Sequence, residues 1–309
     1  MKLMKPKFWE NISFFSIILL PITFIVEIGI IIRKKLVKNR KFDLPIICIG
    51  NIYIGGTGKT PLAIFLGNEL SKYGRNPAII RKFYKNHLDE HKLIKDKFKY
   101  LYLNKYRQKA IIEAQKNNHD SIILDDGFQD YSIQKDLNII CFNQNQLIGN
   151  GLVFPSGPLR ERLISLRNSD IVIINGKKDE SFEKRIIYIN KNIKIFYSRY
   201  KPVNIESFKN KKLTALAGIG NPNNFFSLLS KYNLNVIEKL SFPDHYQFKK
   251  IEIEKIVKKA ENNNSKIIMT EKDYFKIKDF HLNNIECLKV DLAIDNQDRF
   301  IKQVLKVYD

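Results

Sequence analysis

Short apolar runs separated by helical stretches dominate the chain beyond residue 40. The runs are nearly continuous in apolar residues rather than alternating, and they lie at 45–50, 77–81, 121–126, 137–142 and 170–175. Strands with this pattern are buried on both faces, as in a parallel sheet that helices cover. Because helical stretches separate several of these runs, the pattern indicates repeated strand–helix–strand units.

A second series of apolar runs begins after residue 208. Residues 190–208 are interpreted as a linker with one or two short strands, and the later runs lie at 213–217, 235–241, 266–270 and 285–290. Asn221 followed by Pro222 is typical of a helix start. The pattern predicts an α/β protein of two layered α/β units, a larger one with a mostly parallel sheet at 41–200 and a smaller one at 201–309.

The first 40 residues form a separate segment. An apolar run at 12–32 has about the 20 residues that cross a bilayer, but Pro21 and Glu27 interrupt it. A cluster of basic residues between 33 and 41 follows, and such clusters are attracted to anionic headgroups on the cytoplasmic side. A buried core helix is the alternative. We expect a membrane-associated helix that lies in the interface or inserts at one end.

The net charge of the chain is compatible with several kinds of anionic partner. Among 309 residues, 53 Lys and Arg against 32 Asp and Glu give a formal net charge of +21. An anionic partner, such as a membrane surface, a phosphorylated substrate or a nucleic acid, explains this excess, but so does a genome biased toward Lys and Asn codons. The three cysteines show no C-x-x-C spacing, which excludes a disulfide scaffold and a cysteine-based zinc site.

Residues 50–60 carry the strongest chemical motif, G-N-I-Y-I-G-G-T-G-K-T. An apolar strand precedes it and a helical pattern from Pro61 to Tyr73 follows it, which is the context of a phosphate loop. Glycines let backbone N–H groups surround phosphate oxygens, the lysine reaches the outer phosphates, and the threonine hydroxyl can ligate Mg2+. The first glycine of the usual pattern is replaced by tyrosine, and a structural turn is the alternative. The predicted ATP-binding residues are Tyr53, Ile54, Gly55, Gly56, Thr57, Gly58, Lys59 and Thr60.

A pair of carboxylates supplies the expected partner for the metal ion. Asp125 and Asp126 end the apolar run at 121–126, and Gly127 follows them. Ligands bind at the carboxyl ends of strands in open α/β sheets, which places this pair beside the phosphate loop. A turn or a helix cap is the alternative. We expect Asp125, Asp126 and Thr60 to hold Mg2+.

Six motifs in a fixed order resemble one known family. They read G-N-I-Y-I-G-G-T-G-K-T-P, L-D-D-G-F-Q, G-N-G-L-V-F-P-S-G-P-L-R-E-R, L-A-G-I-G-N-P, F-P-D-H-Y and M-T-E-K-D. Together they resemble the tetraacyldisaccharide 4'-kinases of Gram-negative bacteria over nearly the whole chain. The resemblance implies two α/β/α sandwich domains, of which the first is P-loop kinase-like. It also implies transfer of the ATP γ-phosphoryl group to the 4'-hydroxyl of a tetraacylated glucosamine disaccharide 1-phosphate, in lipid A biosynthesis.

The resemblance also implies roles for individual residues. Asp89, in L-D-E-H, aligns with the family's G-D-E-P and becomes the expected general base, with His245 of D-H-Y as its partner from the second domain. A solvated carboxylate and a loop histidine are the alternatives. Arg160 is expected to contact ATP and Glu161 its metal ion, although both residues also suit the start of a surface helix. The implied location is the cytoplasmic face of the inner membrane, with the glycolipid as partner and no obligate protein or nucleic-acid partner.

Some features leave the assignment open. Arg107 aligns with a family arginine and is a candidate phosphate contact, and Glu271 to Asp273 either bind a ligand or cap a helix. Residues 80–85 replace the S-R-G-Y-G-G of the family, which puts substrate contacts and the alignment of Asp89 in question. The alternative function is a membrane-associated P-loop ATPase or switch that acts on a protein partner.

Overall fold

The chain forms two compact units, each built from parallel strands and helices. The computed structural model describes residues 6–85, 88–244 and 246–309. The first unit comprises residues 6–83, 98–199 and 292–309, and the second comprises Tyr84–Lys97 and Tyr200–Asp291. The expectation of a mixed α/β fold with a mostly parallel sheet is confirmed.

An eight-stranded sheet forms the centre of the first unit. Its strands are β1 (Ile46–Gly50), β2 (Pro77–Lys82), β3 (Leu101–Asn104), β4 (Ser121–Asp125), β5 (Leu137–Asn143), β6 (Ile171–Asn175), β7 (Lys194–Pro202) and β12 (Val290–Ile294). They follow the order β12-β7-β6-β5-β1-β4-β2-β3, and the pairings from β7 to β3 are parallel. β1 and β4 are neighbours and buried throughout, so the residues that follow them meet at one edge of the sheet.

Six helices belong to this unit: α1 (Phe14–Ile18), α2 (Leu20–Leu36), α3 (Lys59–Lys72), α5 (Arg107–Lys116), α6 (Glu180–Ile189) and α10 (Gln297–Leu305). Helix α10 buries one apolar face, on which the Phe300 ring lies 5.4 Å from that of Phe196 and 6.5 Å from that of Phe65. This burial holds the C-terminal residues on the sheet of the first unit.

The second unit is a smaller sandwich. Its strands are β8 (Lys212–Ala217), β9 (Val236–Ser241), β10 (Ser265–Thr270) and β11 (Ile285–Leu288), in the parallel order β11-β10-β8-β9. Its helices are α4 (Leu88–Lys97), α7 (Pro222–Lys231), α8 (Lys250–Asn262) and α9 (Glu271–Ile277). Ala215 of β8 packs in a cluster with Leu229 of α7, whereas Leu216 joins Ile253 of α8 on the other face. Alternate residues of one strand therefore serve two helical layers.

The boundaries differ from the expected division at 200. Helix α4 groups with the second unit, because it packs on α9 and Lys97 forms an ion pair of 2.7 Å with Glu271. Residues 292–309 return to the first unit through β12 and α10. The expected linker at 190–208 contains β7, a nine-residue strand of the main sheet, and the expected strand at 285–290 is two strands, β11 and β12.

The N-terminal apolar run is two helices that meet at Leu19. Among the residues with described positions, no helix is both long and apolar enough to cross a membrane. Large apolar side chains point away from the body of the unit, among them Phe24 at 62% exposure and Ile25 at 68%. Thr23 is buried and Glu27 pairs with Arg162, so the polar positions of α2 face the protein.

Candidate active site

The phosphate loop lies between β1 and α3. Gly58 precedes the helix with a φ of 91°, and Gly55 has a φ of 131°, both in the region that favours glycine. Asn51 is fully buried, and its amide donates to Gly55 O at 3.2 Å and to Thr57 Oγ1 at 3.0 Å. The loop is therefore held from within by the residue that directly follows the strand.

Two of the expected loop residues, Tyr53 and Ile54, are engaged by the protein itself. The Ile54 N–H donates to Pro158 O at 2.8 Å, and the Tyr53 side chain is buried in the core of the unit. Gly56, in contrast, is exposed, and a Cβ atom there would meet nothing within 4 Å. The open part of the loop therefore begins after Ile54, and the first two expected positions have structural contacts.

Lys59 is the first residue of α3, and its side chain is only 11% exposed. Its Nζ atom lies 3.5 Å from Asp126 Oδ1. Burial lowers the pKa of the Lys59 ammonium group, and the neighbouring Asp126 carboxylate opposes that effect. The ammonium group lies beside the first turn of a helix, where the orientation of the peptide groups also favours an anion.

Thr60, Asp125 and Arg81 form a second contact group at the same edge. Thr60 Oγ1 donates to Asp125 Oδ2 at 3.0 Å, and Arg81 Nη1 donates to Thr60 Oγ1 at 3.0 Å. Arg81 also forms an ion pair with the fully buried Asp125. Arg81 ends up here because β2 pairs with β4, which brings Arg81 opposite Asp125 in the register.

Asp126 is stabilised in its charged form by neighbouring cations. Its Oδ1 accepts from Arg160 Nη1 at 2.8 Å. Burial alone would raise the pKa of Asp126, but the positive charges of Lys59, Arg160 and Arg81 outweigh it and hold that pKa below its ordinary value. Asp126 also has a φ of 60°, which aspartate tolerates better than most residues. It is therefore ionised at neutral pH.

Glu161 lies apart from these carboxylates. Its Oε2 pairs with Lys34 Nζ at 2.5 Å and its Oε1 accepts from Tyr131 at 2.7 Å, so both oxygens have partners. Within the described part of the chain, no three His, Cys, Asp or Glu side chains are grouped so that they could hold a metal ion. Both Glu161 oxygens are thus engaged by protein groups in this structure, and its expected metal role stays a prediction. Arg160, next to it, does reach the phosphate-loop edge.

Arg107 is engaged by the protein itself. Its Nη2 donates to the backbone oxygen of Asp126 at 2.6 Å, and its Nη1 pairs with Asp130 Oδ2 at 3.1 Å. These contacts fix the turn after β4 on which Asp126 lies. The phosphate contact of Arg107 stays a prediction.

A separate charged cluster lies in the second unit around Asp89, whose side chain is 1% exposed. The ammonium groups of Lys276 and Lys272 lie 3.8 Å and 4.0 Å from Asp89 Oδ2. Lys272 also pairs with Glu90 at 2.8 Å and with Asp244 at 3.2 Å. The alternative of a solvated Asp89 therefore does not hold. His245, its expected partner, lies outside the described residues.

The motif at 271–273 serves the fold of the second unit. The Asp273 side chain accepts from Gly218 N at 2.8 Å and pairs with Lys276 at 2.6 Å. The Asp273 N–H donates to the Thr270 hydroxyl at 3.2 Å, which caps α9. Glu271 accepts from Val290 N at 3.1 Å. Asn221 occupies the N-cap position of α7 without a capping hydrogen bond from its side chain.

Three side chains of the phosphate-loop edge were missed by sequence reasoning: Asn51, Arg81 and Gln129. Gln129 donates to Asn51 O at 2.9 Å and accepts from Arg160 at 3.3 Å. All three follow or end a buried strand whose neighbours carry the predicted ligands. Their location at or just after the carboxyl end of a strand could have identified them from the sequence, because the carboxyl ends of parallel strands meet at one edge of the sheet.

A glycine-rich turn, a lysine at a helix start and a threonine–aspartate contact at the carboxyl edge of a parallel sheet define a phosphate-loop nucleotide-binding protein. The family model described as "Tetraacyldisaccharide-1-P 4'-kinase" matches residues 15–309. The chain belongs to this tetraacyldisaccharide-1-P 4'-kinase family. Its members are kinases, which decides between the two classes of function that the sequence left open.

Individual relatives cover the whole chain. A tetraacyldisaccharide 4'-kinase of Pelagibacter ubique is 40% identical over 312 residues, which are 99% of each chain. One of Rickettsia canadensis is 32% identical over 326 residues, covering 99% of this chain and 98% of the relative. The crystal structure of LpxK from Aquifex aeolicus, determined in complex with ATP, superposes with a TM-score of 0.74 at 22% identity, covering 95% of this chain and 99% of that one. The fold is therefore shared with that enzyme.

Proposed function

We propose that this chain transfers the γ-phosphoryl group of ATP to the 4'-hydroxyl of a tetraacylated glucosamine disaccharide 1-phosphate. The observation that carries the proposal is membership of the family over residues 15–309, combined with a phosphate loop whose lysine and threonine have carboxylate neighbours. Phosphoryl transfer depends mainly on positioning and on neutralisation of charge, and both are available at this edge of the sheet.

The charges at the phosphate-loop edge favour a polyanion. Three cations, those of Lys59, Arg81 and Arg160, lie beside two carboxylates, those of Asp125 and Asp126. The exposed loop around Gly56 adds backbone N–H groups, and the start of α3 adds its partial positive charge. ATP carries its negative charge on its phosphates, so the triphosphate is proposed to lie along the loop, with Lys59 at the outer phosphates.

The oxygen atoms beside Thr60 suit Mg2+. Asp125 Oδ1 is buried and has no hydrogen-bond partner among the described residues, and Asp125 Oδ2 is 3.0 Å from the Thr60 hydroxyl. Mg2+ prefers oxygen ligands and is commonly held by one or two carboxylates together with substrate phosphates. Thr60, Asp125 and Asp126 are proposed to hold the ion. When bound, it would supply positive charge to the β- and γ-phosphates.

Asp89 is the proposed general base. Two lysine ammonium groups within 4.0 Å of its Oδ2 stabilise the ionised carboxylate. It would accept the proton of the 4'-hydroxyl while that oxygen forms its bond to the γ-phosphorus and ADP leaves. His245 is proposed to orient Asp89. The burial of Asp89 supports this role, because a buried carboxylate keeps a defined position.

The outward face of α1 and α2 is the proposed membrane contact. Its exposed side chains include Phe14, Phe15, Ile17, Ile18, Phe24, Ile25 and Ile31. An apolar helix face with basic residues at one end is typical of helices that lie in the membrane interface. The acyl chains of the proposed acceptor keep it in the bilayer. A peripheral position on the cytoplasmic face of the inner membrane would therefore bring enzyme and acceptor together.

The membrane proposal has a direct test. Replacing Phe14, Phe24 and Ile25 together by serine should lower co-sedimentation with anionic vesicles by at least tenfold, since each side chain contributes about 1.5–3 kcal/mol when buried. Tyr188→Ser, at a 90% exposed position of α6, is the matched control and should have no effect. Unchanged sedimentation of the triple variant would refute the membrane contact.

The catalytic proposal is tested by incubating the protein with labelled ATP, Mg2+ and the acylated disaccharide 1-phosphate. NMR of the purified product should locate the new phosphate on the 4' oxygen, and Lys59→Met should abolish its formation. Hydrolysis of ATP without phosphorylation of the glycolipid would contradict the proposed activity.

A further inference from the structure

The segment at 153–162 connects two parts of the first unit. On one side its backbone pairs with the phosphate loop: Ile54 N donates to Pro158 O at 2.8 Å and Arg160 N donates to Ile52 O at 2.7 Å. On the same side the Arg160 guanidinium binds Asp126 at 2.8 Å. Any displacement of this segment therefore reaches the phosphate loop and the Asp126 carboxylate directly. We call residues 153–162 the connecting segment.

The other side of the connecting segment is bound by α2. The Thr23 hydroxyl donates to Ser156 Oγ at 2.7 Å, and both residues are buried. Further along the helix, Arg162 binds both oxygens of Glu27 at 2.5 Å. One more contact is the ion pair between Lys34 and Glu161, described above. The three helix positions are spaced by four and seven residues, so they lie on one face of α2.

These contacts add to the apolar packing of α2, in which Val26 and Ile30 lie against the core of the unit. A groove of about 600 Å³, open to solvent, runs beside the first half of α2, with Leu20, Phe24 and Glu27 on its helix side and Leu152, Val153 and Ile164 opposite. Along this groove the apolar packing of α2 is incomplete. The polar contacts of Thr23, Glu27 and Lys34 fix the position of α2 along it.

Glycine at 157 allows the connecting segment to lie so close to its surroundings. A Cβ atom at that position would overlap Asn150 Oδ1 and Leu152 O. Asn150 also donates to Ser156 O at 2.9 Å, so the turn before Arg160 is rigidly held. A rigid segment transmits a shift at one end to the other end.

We propose that Glu27 and Lys34 of α2 are positioning residues for the phosphate-loop edge. They bind Arg162 and Glu161, and the adjacent Arg160 is thereby held on Asp126 while the connecting segment is held on Ile52 and Ile54. Helix α2 thus has two roles. Its exposed apolar side chains face away from the protein, and its polar side chains set the geometry of the nucleotide site. The inference rests on the proposed function for the role of Arg160 toward ATP.

The energetic cost of losing the Lys34 contact falls on the connecting segment. Glu161 is 3% exposed, so removing Lys34 leaves a buried carboxylate whose remaining partner among the described residues is Tyr131. A buried charge without its partner is unfavourable, and the segment relieves this by moving. A displacement of about 1 Å at a catalytic group can lower turnover by about a hundredfold.

The first experiment is a charge exchange at the Glu27–Arg162 pair, assayed in detergent micelles with labelled ATP. Glu27→Arg and Arg162→Glu should each lower kcat by about 10- to 100-fold. The double variant Glu27→Arg with Arg162→Glu should recover kcat to within about threefold of the original protein. A membrane-attaching role would not produce recovery, and urea midpoints of the single variants within the range of the original protein separate positioning from loss of stability. A double variant no better than the single ones overturns the proposal.

The second experiment removes one charge from α2 at two neighbouring positions. Lys34→Met should lower kcat at least tenfold more than Lys35→Met, which removes the same charge from the same helix but leaves the Glu161 contact in place. Lys34→Arg should restore most of the activity. Equal effects of the two methionine variants, or no rescue by arginine, would overturn the proposal.

The affinity for a fluorescent ATP analogue separates this inference from the proposed function, because it needs no acceptor. Lys34→Met should raise the Kd of the analogue by at least threefold relative to Lys35→Met. If the original protein binds the analogue but does not phosphorylate the disaccharide, the proposed function fails while this comparison still decides the positioning role. Identical Kd values for the two variants count against it.

Discussion

The two charged clusters of the molecule have opposite compositions. At the phosphate-loop edge, three cations lie beside two carboxylates, whereas around Asp89 in the second unit two lysines lie among four carboxylates, those of Asp89, Glu90, Asp244 and Asp273. The first cluster is therefore suited to accept a polyanion. The second is suited to hold a carboxylate ready to accept a proton. A phosphoryl transfer to an alcohol needs both properties.

The largest expected effect comes from the cationic cluster. Lys59→Met keeps the length and packing of the side chain but removes the charge proposed to lie at the outer phosphates. We expect kcat to fall by about a thousandfold or more, since electrostatic stabilisation is usually the largest catalytic term. The measurement is initial-rate phosphorylation of the disaccharide. Turnover within tenfold of the original protein would show that this cluster does not neutralise the transferred group.

The next effect comes from the acidic cluster. Asp89→Asn keeps the shape of the side chain but removes its capacity to accept a proton, and we expect kcat to fall by about 100- to 1,000-fold. Asp96→Asn changes an exposed carboxylate on the same helix and serves as the control. A change in acceptor KM alone would reassign Asp89 from proton transfer to binding. The acidic cluster would then not be a proton acceptor.

A smaller effect concerns the pH profile. Asp89 is surrounded by Glu90 and His91 of its own helix, by Asp244, and by Lys272, Asp273 and Lys276. Removing one cation disfavours the ionised base, so Lys276→Met should move the acidic limb of the kcat profile to higher pH by about one unit. Lys278→Met, at an exposed neighbouring position, should leave the limb in place. An unmoved limb in Lys276→Met would exclude electrostatic support of Asp89 by this lysine.

The smallest effect is on acid stability. The pKa of Asp126 is held below its ordinary value by Lys59, Arg160 and Arg81, against the effect of burial. Its stabilising contribution is therefore present above the unfolded pKa of about 4 and is lost as the pH falls through the folded value. Asp126→Asn should lower the urea midpoint at pH 7, and the difference should narrow toward pH 3. Asp43→Asn, at an exposed position, should show no such narrowing.

Much of the first unit is predictable because local pattern and topology agree there. Runs such as Ile46–Gly50 and Ser121–Asp125 are apolar on both faces, and that property identifies buried parallel strands without knowledge of their neighbours. Once two such strands are recognised, the ligands that follow them are expected at one edge. The contact between Thr60 and Asp125 was predictable for this reason.

Contacts that depend on the pairing of distant elements were not predictable. Arg81 reaches Asp125 only because β2 lies beside β4, and a single strand does not reveal which strand pairs with it. Helix α4 lies between β2 and β3 of the first unit in sequence, yet its contacts with α9 place it in the second unit. Residues 292–309 return to the first unit because of an apolar helix face whose partner is far away in sequence.

The apolar run at 12–32 shows how one residue can mislead. Glu27 reads as a defect in a membrane segment, since a carboxylate is costly in hydrocarbon. The structure shows that this carboxylate faces Arg162 of its own unit, while large apolar side chains such as Phe24 and Ile25 are exposed. A hydrophobic pattern averaged over the segment does not distinguish the two faces of the helix.

A single-turnover experiment tests the central claim most directly. The original protein and Asp89→Asn are each saturated with γ-labelled ATP and Mg2+, mixed with the acylated disaccharide 1-phosphate, and sampled over time. The account predicts that label moves to the 4' oxygen in the original protein, with one ADP formed per phosphate transferred, while Asp89→Asn retains intact ATP. Label released as free phosphate, or equal transfer by both proteins, would contradict it.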